Sequence, residues 1–418
     1  MPPLTGSAAP RRRILLLDCD VFFVQVARLE DPERAGRAPL LMVGGSASGR
    51  GVVTSADYRV REFGVHSGMP MARALRLCPE ATVVPVPREA CVRRSRAIAQ
   101  VLDELAPVVQ AASIDEFYLD LTGTERLHGH APLEEVGRQI QTAIRERTGI
   151  TVSVGGGTVR LVAKLAVERA KPGGVHVVPP GHEADFLRKH ELARIPGVGP
   201  SLLEKLGDRG IHTVDELLPV EEVWLRRWLG EARGRWLWER IRGMDPSPVD
   251  PDEARKSISS ERTFPRDIPP GSAGDEELLR HLNRLVLEVG TGLRSRDLVA
   301  RTVTVKLRDA DFTTRSASRT PGEALESDRA LLRLAEDLLT ELRARSGAPV
   351  RLLGMGVSSL EVRSAEARQL SLLGGEAETE SDRDRILSRA ADELRSRFGR
   401  DALLPGRLVA PPDPESEP

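Results

Sequence analysis

Four acidic residues lie in or between apolar, strand-like stretches of the first third of the chain. Asp18 and Asp20 sit in the run ILLLDCDVFFVQV, which is typical of a β-strand, and a period of two places both on one face. Asp115 and Glu116 lie between the strand-like runs VVQAA and FYLDL, at or near the tip of a hairpin. These four carboxylates are therefore the first candidates for functional residues.

Buried carboxylates need a cation or strong hydrogen-bond donors beside them. Because no Lys or Arg lies within these segments, the pattern predicts a divalent metal as the partner. Magnesium prefers hard carboxylate oxygens and is held by one or two of them together with substrate phosphates. Any single acid could instead cap a turn or face solvent, but two acid pairs on separate strand runs favour metal-assisted phosphoryl chemistry.

Strand-like runs alternate with helical patterns over residues 13–178, which predicts an α/β unit around the acids. Apolar residues spaced three or four apart predict a helix over 89–105, and a second helix is predicted over 134–147. A third helix, LVAKLAVERA, ends at the breaker Lys171-Pro172-Gly173-Gly174. Both acid pairs thus belong to strands of one α/β unit.

The remainder of the chain divides by composition. Short helices broken by Gly and Pro predict a small helical domain from about 182 to 245, and DPSPVDPDEARK (245–256) has the Pro and charge of a linker. Residues 257–363 alternate long helical patterns with strands such as TVTVKLR, which is typical of an α+β domain. Beyond 364 a polar stretch precedes one more helix, ILSRAADELRSRF, and an acidic, Pro-rich end.

Composition excludes several classes of protein. The chain has 418 residues, 40% of them hydrophobic, enough for several cores. With 61 Lys+Arg against 62 Asp+Glu it is not a wholly basic coat protein for nucleic acid, although a locally basic surface stays open. Three widely spaced cysteines form neither a disulfide framework nor a zinc site, and ILLL is too short for a secretory signal or a membrane span. We therefore expect a soluble cytoplasmic protein without a membrane partner.

Five motifs occur together in one order. They are DCDVFF (18–23), YRVREFGVHSGMPMARALRLCP (58–79), SIDEFYLDLTG (113–123), AKPGG (170–174) and IPGVGP (195–200). In order and spacing they resemble the Y-family DNA polymerases, and most of all the bacterial DNA polymerase IV branch, over about residues 13–363. The resemblance implies a multidomain α/β and α+β protein, a right-hand polymerase with palm, small fingers, helical thumb and α+β little finger.

The sequence pattern and the resemblance together predict the bounds of four modules and a tail. The expected bounds are a disordered leader at 1–12, a palm at 13–23 and 86–178, fingers at 24–85, a thumb with a helix-hairpin-helix at 179–245, a linker at 246–256, a little finger at 257–363 and a C-terminal tail at 364–418.

For the metal site, the resemblance implies that Asp18, Asp115 and Glu116 hold two Mg²⁺ ions, with the backbone carbonyl of Cys19 as an auxiliary ligand. Two such ions activate the primer 3′-hydroxyl and neutralise the β- and γ-phosphates of an incoming deoxynucleoside triphosphate. Asp20 does not match the family's metal ligand, so we expect it to play a supporting or structural part.

For the nucleotide, the resemblance implies that Phe23 is the steric gate, a flat ring under the sugar that leaves no room for a 2′-hydroxyl. Tyr58, Arg61 and Lys171 match the family's triphosphate contacts, Arg offering a planar fork and Lys a point charge. Ser55 aligns with a small hydroxyl residue near the same phosphates.

Two segments are predicted to hold DNA. IPGVGPSLLEKL (195–206) is a helix-hairpin-helix signature, in which Gly197 and Gly199 permit a tight turn that offers backbone N–H groups to a phosphate. Residues 294–321 carry seven basic and three acidic side chains, which on strands could line the duplex backbone or form a solvated sheet face. The basic residues are Arg294, Arg296, Arg301, Lys306, Arg308, Arg315 and Arg319.

A short linear motif lies in the polar segment after the little finger. Gln369-Leu370-Ser371-Leu372-Leu373 resembles the peptide with which bacterial polymerases bind the sliding clamp, although Leu373 replaces the more usual Phe. The predicted partners are therefore primer–template DNA, deoxynucleoside triphosphates and a sliding clamp, and we expect the protein to act as a monomer.

Two alternatives to a polymerase stay open. A Y-family-like accessory protein could keep the DNA-binding shape without catalysis, but all three metal-binding acids are present. A palm-type nucleotidyl cyclase shares two-metal chemistry, yet it needs neither the helix-hairpin-helix nor a basic C-terminal segment. Phe117 and the Asn-free loop GGGTVRLVAK (155–164) depart from the family pattern without removing a ligand. We predict a DNA-directed DNA polymerase, a nucleotidyltransferase of low fidelity that performs translesion synthesis without proofreading.

Overall fold

The computed structural model describes residues 11–363, 380–399 and 401–408. The chain divides into two compact units, Met1–Glu253 and Ala254–Pro418. The finer division into palm, fingers, thumb and little finger stays a prediction. Within the described ranges, no helix is long and apolar enough to span a membrane.

The first unit alternates strands and helices before ending in short helices. Its strands are β1 (Ile14–Cys19), β2 (Leu41–Gly44), β3 (Val53–Ala56), β4 (Thr82–Val84), β5 (Val108–Ala111), β6 (Glu116–Asp120), β7 (Val152–Gly157) and β8 (Val175–Val177). Its helices are α1 (Phe22–Glu30), α2 (Tyr58–Arg61), α3 (Met71–Leu77), α4 (Arg88–Leu105), α5 (Leu133–Thr148), α6 (Arg160–Ala170), α7 (Glu183–Arg188), α8 (Pro200–Gly207), α9 (Val214–Leu217), α10 (Glu222–Leu229) and α11 (Glu231–Arg240).

A five-stranded sheet in the order β5-β6-β1-β7-β8 has β1 at its centre, antiparallel to β6 and β7. Leu15 and Leu17 pack with α4 and α5 on one face, whereas Ile14 and Leu16 pack with α6 on the other. Burial on both faces explains the unbroken apolar run ILLL. By the period of two, Asp18 continues the series that faces α6.

The chain leaves this sheet earlier than the sequence predicts. β1 ends at Cys19, Val21 has a left-handed backbone with φ of 41°, and α1 begins at Phe22. The expectation that Asp20 lies in the strand with Asp18 is therefore wrong, because Asp20 belongs to the turn that follows.

A three-stranded sheet in the order β3-β2-β4 lies within the predicted fingers. It has a small core of its own around Met42 and Met71. β3 contains Ser55, and α2 begins at Tyr58, where the side chain of Asp57 caps the helix. Two predicted nucleotide contacts are thus placed by one strand-to-helix turn.

The short helices from α7 to α11 share a core with one face of α6. The stretch after α11 stays attached to the first unit. Asp245 is buried and accepts a 3.1 Å hydrogen bond from the Leu161 N–H, and the N–H of Asp250 donates to Gln110 at 3.1 Å. The beginning of the predicted linker is therefore fastened to the sheet and to α6.

The second unit contains β9 (Ser257–Ile268), α12 (Ser272–Arg294), β10 (Leu298–Asp309), β11 (Thr314–Arg319), α13 (Asp328–Ala344), β12 (Val350–Val362) and α14 (Asp382–Phe398). Its antiparallel sheet has the order β11-β10-β12-β9. Alternate residues of β10, including Val303, Val305 and Leu307, are buried against α12 and α13. Among the described residues of this unit, α12 and α13 cover this face of the sheet alone, and we call the other face the open face.

Helix α14 docks on this unit through charges rather than apolar side chains. Arg294 of α12 is buried, and its guanidinium donates to Asp328 at 2.8 Å and to both carboxylate oxygens of Asp392 at 2.6 and 3.0 Å. Ile386 and Phe398 of α14 are exposed. The buried cation therefore joins α12, α13 and α14.

Candidate active site

Asp18 and Glu116 are direct partners across β1 and β6. Their carboxylates meet two ammonium groups, one from α6 and one from the residue that follows it. Lys164 donates a hydrogen bond to Glu116 and lies 3.8 Å from Asp18. Lys171 donates to Asp18 at 2.9 Å and to Glu168 at 2.9 Å. Two carboxylates and two lysines therefore share one end of the sheet.

The lysines reach the carboxylates because α6 lies directly on β7. A Cβ at Gly155 would be 2.2 Å from the carbonyl oxygen of Ala163 and 2.2 Å from the amide nitrogen of Val167, so only glycine allows this approach. Lys164 and Lys171 are seven residues apart, about two helical turns, which places them on one side of the helix.

Burial raises the pKa of Asp18 to about 6, although Lys171 and Lys164 oppose the shift. Burial alone would lower the pKa of Lys171, but the contacts with Asp18 and Glu168 outweigh burial and raise it. Asp18 is therefore a buried carboxylate that needs cations beside it to stay ionised.

Asp20 has a different environment. Tyr58 and Ser153 donate their hydroxyls to one of its oxygens at 3.0 and 2.8 Å, and the N–H of Gly173 donates to the other at 2.9 Å. Three neutral donors satisfy this buried carboxylate without a metal. The arrangement favours the structural part predicted for Asp20.

Asp115 lies in the turn immediately before β6. Its backbone carbonyl accepts from the Cys19 N–H at 3.0 Å, and its carboxylate accepts from the Ser113 hydroxyl. The Cys19 side chain belongs to the core, where burial raises the pKa of its thiol. The backbone carbonyl is therefore the ligand that Cys19 could offer.

This donor set fits a hard divalent cation. Asp18 and Glu116 lie side by side, with Asp115 next in the chain. Within the described ranges no three His, Cys, Asp or Glu side chains are gathered closely enough to hold a metal ion. Ammonium groups stand in for the cation against Asp18 and Glu116. The residues fit a metal provided that the ion replaces Lys164 at Glu116 and Ser113 at Asp115.

Two predicted nucleotide contacts are tied to these acids, Lys171 through Asp18 and Tyr58 through Asp20. Burial and the Asp20 carboxylate raise the pKa of the Tyr58 hydroxyl, which therefore stays protonated as a donor. Arg61 is exposed, and its guanidinium carbon lies 5.2 Å from the centroid of the Tyr58 ring. The guanidinium therefore lies within the range of a cation–π contact with the ring.

Phe23 lies half-buried on the first turn of α1. Its ring meets the buried Phe22 edge-on, with centroids 5.5 Å apart and planes at 69°. Phe23 is thus the ring of this pair that a ligand could touch. Ser55 is only 4% exposed, which weakens the case for a direct phosphate contact there.

The helix-hairpin-helix turn uses its two glycines differently. Gly197 has a φ of 93°, and a Cβ would lie 2.8 Å from the Trp236 ring, so both backbone and packing require glycine. Gly199 has an ordinary φ of −96° and precedes Pro200, the first residue of α8. No atom of the described residues lies within 4 Å of a Cβ placed at Gly199. The start of α8 is therefore open to a large ligand.

The predicted basic stripe of residues 294–321 is divided in the structure. Arg294 is buried in its carboxylate cluster, so its placement in a DNA-facing stripe is wrong. Arg301 is partly exposed and donates to Glu361 of β12 at 3.1 Å, so a carboxylate neutralises part of its charge. The part predicted for Arg301 in holding DNA stays a prediction.

The open face of this sheet contains Lys306 and Arg308. Lys306 pairs with Glu261 of β9 at 2.7 Å, and Arg308 donates to the Thr314 hydroxyl at 2.9 Å. Acids from outside residues 294–321 therefore neutralise part of the local positive charge. A groove on this face is lined mainly by small and hydroxyl side chains, among them Ser257, Ser259, Thr304 and Gly356.

Sequence reasoning missed Lys164. The signal was a lysine in the otherwise apolar stretch LVAKLA, seven residues before Lys171. The motif residues Gln369, Leu370, Leu372 and Leu373 lie outside the described ranges.

Three family models match the chain. The model of the impB/mucB/samB family matches residues 17–168, and that of its C-terminal domain matches 255–372. The model described as the thumb domain of DNA polymerase iota matches 193–245.

Curated relatives match most of the chain. DNA polymerase IV of Halorhodospira halophila is 38% identical over 362 residues, which cover 87% of this chain and 99% of that protein. DNA polymerase IV of Caulobacter vibrioides is 35% identical over 394 residues, 94% of this chain and 93% of that protein.

Solved structures match as well. A Y-family DNA polymerase chimera containing Dbh sequence has a TM-score of 0.73 and 28% identity, covering 84% of this chain and all of that one. DinB from Sulfolobus solfataricus has a TM-score of 0.55 and 28% identity, covering 83% of this chain and 98% of that one.

The fold, the paired carboxylates and these matches define one class: the chain belongs to the Y family of DNA polymerases. Its relatives place it in the bacterial DNA polymerase IV branch of that family. The predicted fold class and family are confirmed, and the matches favour neither the accessory protein nor the cyclase. Dependence on a divalent metal follows from the family.

Proposed function

We propose that this protein extends a DNA primer opposite a template strand, with Asp18, Asp115 and Glu116 as ligands of two Mg²⁺ ions. The observation that carries the proposal is the pairing of Asp18 with Glu116 across β1 and β6, on the face where two lysines already balance their charge. The Cys19 carbonyl would complete the ligand set. Magnesium suits these oxygen donors and keeps positions open for substrate phosphates.

When bound, the ions supply a lowered pKa at the primer 3′-hydroxyl and charge neutralisation at the triphosphate. The protein's own residues position the reactants. Lys171 would exchange its contact with Asp18 for a phosphate oxygen, Arg61 would offer its fork to the same group, and Tyr58 would donate its hydroxyl. Phe23 would lie against the sugar and exclude a 2′-hydroxyl.

The DNA-holding surfaces in this proposal bind the backbone and read no sequence. The open N-terminus of α8 beside Gly199 would receive a phosphate, and Lys306 and Arg308 would lie along the duplex. One solved relative is titled an insertion ternary complex of Dbh DNA polymerase, with 27% identity and a TM-score of 0.58. We propose primer–template DNA and deoxynucleoside triphosphates as the ligands here, bound by a monomer.

Translesion synthesis is the activity of this branch, and we assign it to this chain. A reducing, cytoplasmic setting is proposed because Cys19, Cys78 and Cys91 are all free and buried.

We also propose that residues 369–373 bind the sliding clamp. A pull-down with the clamp tests this: Gln369→Ala and Leu372→Ala should each weaken capture, and unchanged capture would remove the motif.

Primer extension on damaged and undamaged templates with Mg²⁺ tests the main proposal. The wild-type protein should extend both, and the double variant Asp115→Ala/Glu116→Ala should extend neither. A matched control is Glu134→Ala/Glu135→Ala on the exposed side of α5, which should retain activity. Inactive wild-type protein would support the accessory alternative, and activity in the double variant would show that these acids are not the metal site.

A further inference from the structure

We propose that Lys164 is a positioning residue that occupies the metal's place in the unloaded enzyme. Its ammonium would hold Glu116 and Asp18 together when no ion is bound and leave Glu116 when one arrives. The inference rests on the proposed function, because it takes these two carboxylates as the metal ligands. If Lys164 competes with the metal in this way, a residue of α6 lowers the affinity of the site for the metal.

The geometry of the unloaded site supports this exchange. Among the described residues, both ion pairs of Lys164 are with proposed ligands, a hydrogen bond to Glu116 and a 3.8 Å approach to Asp18. Lys171 differs, because it also binds Glu168 at 2.9 Å and so keeps a partner when Asp18 is taken by an ion. The Lys164 side chain is 27% exposed, which leaves a path for it toward solvent.

Charge makes the two states exclusive. Without metal, the ammonium groups of Lys164 and Lys171 balance the carboxylates of Asp18 and Glu116. A divalent ion on Glu116 would stand within a few ångströms of the Lys164 ammonium, and like charges at that distance repel strongly in a partly buried site. The Lys164 side chain must therefore move away when the metal binds. Because its ion pairs are broken in that step, their free energy is lost and the metal binds more weakly.

Binding of Mn²⁺ alone, followed by the electron paramagnetic resonance signal of the free ion without DNA or nucleotide, measures this competition. Lys164→Met should tighten Mn²⁺ binding roughly tenfold, because it removes one positive charge near two ligands. Lys164→Arg keeps the charge and should bind like wild type. Lys189→Met, an equal charge removal at an exposed position on α7's C-terminal end, should leave the affinity unchanged.

Two further measurements separate competition from a general change in the protein. In a Glu116→Gln background, Lys164→Met should tighten Mn²⁺ binding less than in the wild-type background, since only the approach of Lys164 to Asp18 is left. In EDTA the single variant should melt below wild type, and saturating Mn²⁺ should close the gap. A melting temperature that Mn²⁺ does not restore would contradict the proposed exchange.

Unchanged or weaker Mn²⁺ binding in Lys164→Met would overturn the inference, as would tighter binding in Lys164→Arg. These outcomes are distinct from failure of the proposed function. Wild-type protein that does not extend primers but shows the Mn²⁺ effect would keep the competition and remove the polymerase activity. If the wild-type protein extends primers but Lys164→Met does not change Mn²⁺ binding, the polymerase activity stands and the competition by Lys164 is wrong.

Discussion

The hydroxyl of Tyr58 donates a 3.0 Å hydrogen bond to the carboxylate of Asp20, which joins the start of α2 to the turn that follows β1. This bond links the helix that begins with the proposed phosphate contact Tyr58 to the strand that contains Asp18, a proposed metal ligand. The same carboxylate accepts from Gly173, two residues after Lys171. Asp20 therefore fixes both predicted triphosphate-binding segments relative to the sheet.

Tyr58→Phe should raise KM for the incoming nucleotide about fivefold to tenfold, because one hydrogen bond in the site is lost and Arg61 loses a fixed neighbour. Steady-state primer extension measures this, and kcat should fall less than KM rises. Tyr118→Phe, at the chain's other tyrosine, is the matched control and should leave KM unchanged. An equal effect of both substitutions would assign the change to stability rather than to nucleotide binding.

Phe23→Ala should admit ribonucleotides, with discrimination against the 2′-hydroxyl falling by a factor on the order of 10 to 100. Phe22→Ala is the control, because Phe22 is 1% exposed and cannot itself meet a nucleotide. It should destabilise the protein by about 3–5 kcal/mol without changing sugar selectivity. Primer extension with each nucleotide type and thermal unfolding separate the two. Unchanged selectivity in Phe23→Ala would remove the steric gate.

The elements that place these rings and acids were predictable to different degrees. The hairpin of β5 and β6 followed from two apolar runs flanking SIDE, and α4 and α5 followed from their apolar spacing. Helix α1 did not, because its buried residues serve two cores: Phe22 and Val26 pack into one, and Val24 and Ala27 into the other. Because α1 is buried on two sides, its apolar residues do not show the helical period, and the sequence resembles that of a strand.

Ion pairs between side chains that are far apart in the chain could not be predicted from the sequence. The absence of Lys and Arg from the acid-bearing runs predicted a divalent metal, which agrees with the family. It did not predict that Lys164 reaches Glu116, which happens because Gly155 lets α6 lie on β7. The net charge of a segment is an unreliable guide for the same reason, because acids from other segments can neutralise it. Arg294 counts as positive in residues 294–321, yet Asp328 and Asp392 neutralise it in the fold.

Gly199→Ala should weaken DNA binding about tenfold, the equivalent of one charged hydrogen bond, because a methyl group would stand where a phosphate approaches the start of α8. The fold should be unaffected, since the φ is ordinary and the space around a Cβ is open. Gly197→Ala should instead lower stability, by about 1–3 kcal/mol for the strained backbone. Fluorescence anisotropy with duplex DNA and thermal unfolding distinguish them, and unchanged DNA affinity in Gly199→Ala would contradict the phosphate contact.

Lys306→Ala and Arg308→Ala should each reduce the slope of log Kd against log salt by about 0.9, the value expected for one released phosphate contact. The loss should be the same for unrelated duplex sequences. Arg319→Ala is the control, because that side chain belongs to the helix-facing side and pairs with Asp337 of α13 at 3.2 Å. A salt slope that changes equally in all three variants would show that the open face has no special part in holding DNA.

Asp392→Ala should release α14 from the second unit. The substitution removes two of the hydrogen bonds of the Arg294 guanidinium and leaves a buried cation with too few partners, which costs about 3 kcal/mol. The exposed Ile386 and Phe398 indicate that apolar packing cannot compensate. Hydrogen exchange of the α14 amides should therefore accelerate, while Glu393→Ala, which breaks only an exposed pair with Arg397, should change stability by less than about 0.5 kcal/mol. Slow exchange of α14 in Asp392→Ala would show that contacts other than the buried charge cluster hold this helix.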